Sequence, residues 1–321
     1  VSSIKTAVSA GALFAAAAQF GFAAKAIFIK LAYAAQPGLD AVTLLALRMI
    51  FSLPFFLLMA WWARRESKGA LPVPLARRDW GMILFLGFIG YYLSSFLDFF
   101  GLQFISAGLE RLILFTNPTI VVVLSALFLA KPISRRVGLA LLVSYVGLGL
   151  AYWHDLVITN DTKALIIGTA LVLGSALCYA IYMMVGTGLT RRIGSTRFTA
   201  YMMLVATGFV MAQFFIMRPI SALDLPMKIY VYSVCLAVFS TALPVWMMAE
   251  ALKRIGASDA SMIGTIGPVV TIFLGALFLG EEVSALQLIG AALVLAGVAM
   301  ISLARPKAGP LVSMPDTPPT R

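Results

Sequence analysis

The chain has 321 residues, 61% of them hydrophobic and 12% charged, with a formal net charge of +11. A soluble protein of this length carries roughly a quarter charged residues, so the composition excludes a water-soluble globule and points to a chain that crosses a bilayer repeatedly. The positive excess then belongs to membrane loops on one side, not to a nucleic-acid partner.

Apolar runs of about 20 residues, enough to cross roughly 30 Å of hydrocarbon, place ten spans at about 7–33, 40–62, 80–102, 107–129, 135–153, 164–186, 197–217, 227–249, 257–280 and 283–304. Only helices fit, because a spanning segment must satisfy its own backbone and no alternating strand pattern is present. The apolar start is too long for a signal-peptide core and is read as span 1. The longest hydrophilic loop, "RRESKGALPVPLARRD", joins spans 2 and 3. "HDLVITNDTK" reads as an external linker, 154–163, between halves at 1–153 and 164–304. The tail 305–321, "RPKAGPLVSMPDTPPTR", reads as disordered. With the N-terminus in the cytoplasm, nearly all loop lysines and arginines fall inside, and only Lys163, Arg218 and Lys228 fall outside. That bias places both termini in the cytoplasm. Cys178 and Cys235 fall in spans without CxxC spacing and read as small apolar residues, with no disulfide or metal framework.

"NPTIVVVLSALFLAKPIS" (117–134) returns in altered form as "GPVVTIFLGALFLGEEVS" (267–284). The shift carries the chain through five spans, an odd number, so the second copy enters the membrane upside down. The loop charges reverse accordingly: Lys131, Arg135 and Arg136 follow the first copy, Glu281 and Glu282 the second. The expected fold is an all-α polytopic membrane protein of ten transmembrane helices in two inverted five-helix repeats. Many secondary transporters are built this way, with substrate between the halves near the midplane.

"LLALR" (44–48), "ISAGLERLILFTNPTIVVVLSALFLAKPIS", "GASDASMIGTIGPVVTIFLGALFLGEEVS" and the following "IGAALVLAGVAMI" resemble the drug/metabolite transporter superfamily, EamA type. The first half departs from its pattern, with Ala130-Lys131 where Gly-Glu is usual. The resemblance implies ten helices in two five-helix repeats, both termini in the cytoplasm, and transport of small organic solutes by alternating access. It leaves the solute open.

Six ionisable residues fall within spans: Lys25, Lys30, Arg48, Asp98, Glu110 and Arg111, all in the outer half of the first repeat. A charge near the bilayer centre must snorkel, pair or line a wet cavity. Lys30 and Arg111 lie close enough to the outer interface to snorkel. Lys25 is deeper and either lines a cavity or forms an ion pair. Arg48 links helices or serves as counter-ion to Asp98. Asp98 shares a helical face with Tyr91, Ser94 and Ser95, as a candidate proton carrier or structural ion pair. Glu110 shares a face with Asn117, which precedes Pro118, whose missing N–H opens the helix. Polar stripes continue on span 6 (Ser175, Tyr179, Tyr182), span 8 (Ser233, Ser240, Thr241, Pro244) and span 9 (Ser258, Ser261, Thr265, Pro268); Ser and Thr also serve as interhelical glue. "GTIGP" (Gly264 to Pro268, with Gly267) reads as a hinge or a packing notch, and Pro118 and Pro244 as further hinge candidates. Spans 5 and 10, nearly uniformly apolar with Gly147, Gly149, Gly290 and Gly297, are placed at the periphery. His154, the only histidine, is placed in an external loop and excluded as a metal ligand.

No Walker A pattern is present, which argues against ATP coupling in this chain. An integral-membrane enzyme would need a catalytic cluster at one interface, and the sequence offers neither a His pair nor metal spacing. The expectation is a cell-membrane secondary transporter without cofactor, as monomer or homodimer, with protons among the candidate coupling ions. Four cations against two anions within the spans favour a carboxylate-bearing solute such as an amino acid; a lipophilic cation recognised by Asp98 and the tyrosine faces is the alternative.

Overall fold

The computed structural model describes residues 2–65, 74–129, 133–159 and 161–304. Lys131 and the tail 305–321 lie outside the described residues, as do the side chains of Lys253, Ser258 and Ser261. Among the described residues all regular structure is helical. Ten membrane helices follow in order: α1 Ser2–Ala35, α2 Ala41–Arg65, α3 Arg77–Gly101, α4 from Ala107–Phe115 into Asn117–Leu129, and α5 Arg135–Thr159. The second half has α6 Thr162–Ile193, α7 Ser195–Met217, α8 Met227–Leu252, α9 Met262–Leu279 and α10 Ala285–Ala304. Nine are long and apolar enough to cross a bilayer on length and composition, and the tenth, at Ala285–Ile301, is slightly shorter.

Several helix starts are set by local chemistry. The carboxylate of Asp40 accepts from the Val42 and Thr43 N–H groups before α2, Ser106 Oγ from Leu109 N–H before α4, and Asp161 from Ala164 N–H before α6. Each supplies a donor-rich helix end with an acceptor. Ser134 and Ser284, matched between the two sequence copies, do this for α5 and α10. Two helix ends run well past expectation, α6 to Ile193 and α5 to Thr159. Because of the latter, His154 lies in a helix rather than a loop and is 5% exposed. It stays there because its polar atoms are satisfied: Nε2 bonds the Glu282 carbonyl (3.0 Å) and Nδ1 the Ser284 hydroxyl (2.7 Å). A carbonyl can only accept, so Nε2 carries the proton.

The two halves pack as equivalent units. α1 lies against α8 and α9, and α6 against α3 and α4; α2 meets α7, α4 meets α9, and α5 meets α10. Exchanging the halves leaves this pattern unchanged. Irregularities repeat too. α3 carries a π-helical stretch at Phe88–Leu93 and α8 one at Val238–Ala242, while α4 breaks at Thr116 and α9 at Thr265. Pro244 follows the second π stretch, where it cannot donate back to the preceding turn; Thr241 Oγ1 donates to the Leu236 carbonyl there (2.8 Å).

Close approaches fix the register of the two copies. A Cβ on Gly11 would meet Ile255 and Arg254, and one on Gly168 would meet Ile105 and Phe104. Gly11 therefore matches Gly168, which makes Tyr182 the counterpart of Lys25. From α3 onward the register is that of the "NPTIVVV" and "GPVVTIF" pair. The offset between the copies falls from 157 at Gly11 and Gly168 to 150 at Asn117 and Gly267.

α5 and α10 cross through small residues. A Cβ on Gly147 would lie 2.6 Å from the Gly290 carbonyl, and one on Gly297 2.1 Å from Ser144 Oγ and 2.6 Å from the Ala140 carbonyl. The partner numbers fall as the α5 numbers rise, so these two equivalent helices run antiparallel and the second repeat is inverted. In lipid, helices associate through close packing of small residues, since apolar side chains are equally at home among acyl chains. Spans 5 and 10, expected at the periphery, pack against each other.

Candidate functional site

The α1–α2, α3–α4 and α9–α10 turns share one membrane face, called here the far face; the opposite face carries the lysine- and arginine-rich loops. One turn inside the far-face ends of α3 and α4, three charged side chains meet. Lys25 Nζ on α1 lies 2.6 Å from Asp98 Oδ2 on α3 and 3.0 Å from Glu110 Oε1 on α4. Glu110 is fully buried and Asp98 is 3% exposed. Asp98 is therefore paired with Lys25 and not with Arg48. Arg48 Nη2 donates to Ser95 Oγ at 3.1 Å, and its guanidinium sits 4.8 Å from the centroid of the Phe99 ring. Arg111 does not snorkel: it turns inward, where Nη2 donates to Gln19 Oε1 on α1 (3.3 Å) beside Gly267. A Cβ at Gly267 would lie 2.8 Å from that guanidinium, so the glycine leaves room for it.

The cluster has spare hydrogen-bonding capacity. Asp98 Oδ1, Glu110 Oε2, Arg48 Nε and Arg111 Nε are buried without a hydrogen-bond partner. Buried polar atoms are normally satisfied, and each exception needs an explanation. Formally the group carries three positive charges and two negative ones. Among the described residues, Arg48 and Arg111 have no carboxylate within ion-pair distance.

A pocket of about 420 Å³ opens on the far face between the α1–α2 turn and the end of α3, lined by Lys30, Tyr33, Gln36, Asp40, Leu102 and Gln103 among others. Lys30 and Tyr33 lie one to two turns beyond Lys25 on α1, between the mouth and the charged cluster. Tyr33 donates its hydroxyl to the Phe99 carbonyl (2.8 Å), next to Asp98. Lys30 does not snorkel freely; its Nζ donates to the Ile105 carbonyl (2.7 Å) and lies 3.7 Å from Glu281 Oε1. Glu281, on the α9–α10 turn, also accepts from the Ala107 N–H (2.8 Å) and from the Gly108 N–H at a longer 3.4 Å. A carboxylate at a helix N-terminus is favoured by the helix dipole. Glu281 thus joins the two repeats at the far face.

The polar stripe expected on α3 splits. Ser95 and Asp98 face α2 and α1, whereas Tyr91 and Ser94 face α6. The π-helical stretch shifts Tyr91 relative to the residues after it, and Ser94 and Ser95, adjacent on a regular helix and so about 100° apart, reach different neighbours. Ser94 bonds Ser175, and Tyr91, Tyr179 and Tyr182 form an edge-packed aromatic trio. The stripe on α4 divides as well: beyond the break at Thr116, Asn117 donates to the Ala176 carbonyl on α6 (3.2 Å). Thr265 donates its hydroxyl to the Met262 carbonyl in its own helix. Gly264 lies beside Gln19, and neither it nor Gly267 adopts a positive φ. Pro118 and Pro268 each follow a helix break.

Lys25, Asp98, Glu110 and Arg48 are therefore brought together, while the tyrosines and Asn117 form a second group on α6. Sequence reasoning missed Gln19, Tyr33 and Glu281. Gln19 carried a readable signal, a lone amide in an alanine-rich span. Glu281 carried none beyond topology, because its partners come from the other repeat. No group of three or more metal-ligating side chains occurs among the described residues.

A ten-helix bundle of two inverted repeats with a buried charged cluster between its helices and a pocket open to one face has the build of a membrane transporter. Comparison with known proteins gives the family. The chain belongs to the EamA-like transporter family, which it matches twice, over residues 9–153 and 166–303. It is 33% identical to the uncharacterized transporter YcbK of Bacillus subtilis across 88% of this chain and 89% of that one. It is 28% identical to the threonine/homoserine exporter RhtA of Escherichia coli K12 across 81% and 79%. A solved crystal structure shares the fold with a TM-score of 0.61, covering 92% of this chain and 97% of its own at 15% identity. The protein is a multi-pass membrane transporter.

Proposed function

We propose that the chain is a secondary transporter that moves an amino acid or a related carboxylate-bearing solute out of the cell by alternating access between its two repeats. The observation that carries this reading is the charge balance of the buried cluster. Among the described residues Lys25 takes up both Asp98 and Glu110, Arg48 and Arg111 have no carboxylate partner, and both arginines keep an unused buried Nε donor. An arriving carboxylate neutralises the surplus and accepts from those donors; guanidinium groups suit planar carboxylates. A relative named for threonine and homoserine export makes hydroxy amino acids the first solutes to try.

The positive-inside bias makes the far face external, so the pocket above the cluster opens outward. The helix breaks before Pro118 and Pro268 and the π stretch before Pro244 are the places where the bundle can flex, with Gly264 and Gly267 letting α9 slide past α1 and α4. Asp98, shared with Glu110 on one lysine, is the proton-coupling candidate. The aromatic trio of Tyr91, Tyr179 and Tyr182 favours the competing cargo, a lipophilic cation.

Proteoliposomes with an imposed pH gradient test both cargoes, using labelled threonine, labelled succinate and tetraphenylphosphonium. Movement of threonine or succinate supports the carboxylate reading; movement of tetraphenylphosphonium alone rejects it. Asp98→Asn is expected to abolish pH-driven transport while the protein stays folded. Unchanged transport across pH in that variant removes Asp98 as the proton carrier.

A further inference from the structure

Lys25 differs from the other two cations of the cluster. Arg48 is held by Ser95 and the Phe99 ring, and Arg111 by Gln19. Lys25 Nζ contacts only Asp98 and Glu110 among the described residues. Its flexible four-carbon stem comes from α1, while the carboxylates come from α3 and α4. The pocket lined by Lys30 and Tyr33 lies farther along the same helix, one to two turns beyond Lys25. Both carboxylates also keep one buried oxygen without a partner. They have acceptor capacity that one lysine leaves unused.

The geometry points to Lys25 as a tethered stand-in for the substrate's own ammonium group. In this structure its Nζ occupies the position between Asp98 and Glu110. A primary-amine solute takes that position and displaces Lys25 toward the far-face pocket, while its carboxylate meets the arginines. This rests on the amino-acid reading above and sharpens it: the solute must carry a primary ammonium, and release is driven by the return of Lys25. The buried carboxylates are then never without a cation, which spares the large cost of an uncompensated charge. The arrangement occurs in one repeat only, because the counterparts of Lys25, Asp98 and Glu110 are Tyr182, Met248 and Ala260.

The test uses full-length protein purified in detergent, as wild type and as Lys25→Ala. Thermal melting is followed against ethylammonium chloride, with choline chloride, which lacks an N–H donor, as control. Ethylammonium is expected to raise the melting temperature of Lys25→Ala in a saturable way, with no saturable effect on wild type and none from choline on either. The same response to ethylammonium and choline, or no rescue of Lys25→Ala by ethylammonium, overturns the proposal. Binding gives a second readout. Removing an internal competitor raises apparent affinity, so Lys25→Ala is expected to bind an amino acid transported by wild type about tenfold more tightly. Its affinity for the des-amino analogue should not rise. Loss of binding to both compounds in folded Lys25→Ala makes Lys25 a carboxylate ligand and overturns the stand-in role. Wild type that transports no amino acid rejects the solute reading separately, and the ethylammonium response still decides whether a free ammonium fills the site.

Discussion

The two repeats share a scaffold and differ in what they bury. Where the first places Lys25, Asp98 and Glu110, the second places Tyr182, Met248 and Ala260. The π stretches, helix breaks, serine caps and close glycine contacts are nonetheless duplicated. Packing in lipid depends on shape, so small residues and irregular turns recur in both copies. A buried charge is costly and appears where a partner offsets it. The difference separates residues that build the bundle from the charges we propose handle solute.

The comparison breaks most visibly if charge is moved to the wrong half. Tyr182→Lys introduces a cation among Tyr91, Tyr179 and Phe198 with no carboxylate at the counterpart positions. It is expected to lose about 2.5–3.5 kcal/mol of stability. Tyr182→Phe removes only a long hydroxyl contact and is expected to change stability by less than about 0.5 kcal/mol. Unfolding in mixed micelles compares the two, and equal effects would mean that the aromatic trio itself, not the absence of a counter-charge, governs this site.

A smaller effect sharpens the shared part. Gly147→Ala and Gly297→Ala each force a methyl into the α5–α10 crossing, whereas Gly149 has open space around it. The first two should cost about 1–3 kcal/mol each, and Gly149→Ala should be neutral or slightly stabilising. Thermal unfolding of the three variants checks this; a sizeable loss in Gly149→Ala would contradict the crossing geometry. Smaller still, Glu281→Ala removes the acceptor at the start of α4 and the carboxylate near Lys30, and should cost about 1 kcal/mol. Its sharper readout is accessibility. A cysteine at Gln103 should react faster with a polar thiol reagent once Glu281 no longer joins the repeats, and an unchanged rate would make the contact incidental.

The ten spans, their order and the inversion were legible in the sequence, because hydrophobic length and loop charge are local quantities. The six charges within the spans could also be named, since a charge in an apolar run stands out wherever it lies. Their pairing could not be read. Asp98 was read as a counter-ion to Arg48 or a proton carrier; it pairs with Lys25 because of how α1 lies against α3 and α4. The stripe of Tyr91, Ser94, Ser95 and Asp98 looked like one face, but α3 is wedged between α6 and the α1–α2 side, so residues on the two edges of the stripe meet different helices, and a π-helical stretch shifts Tyr91 besides. His154 was read as a loop residue; its helix extends to meet Glu282 and Ser284 from the other repeat. By itself the sequence determined what must lie in the membrane and that the second half runs opposite to the first, because desolvation and loop charge act residue by residue. Which charge meets which was decided only by the tertiary structure, because an ion pair depends on distance and direction between helices far apart in the chain.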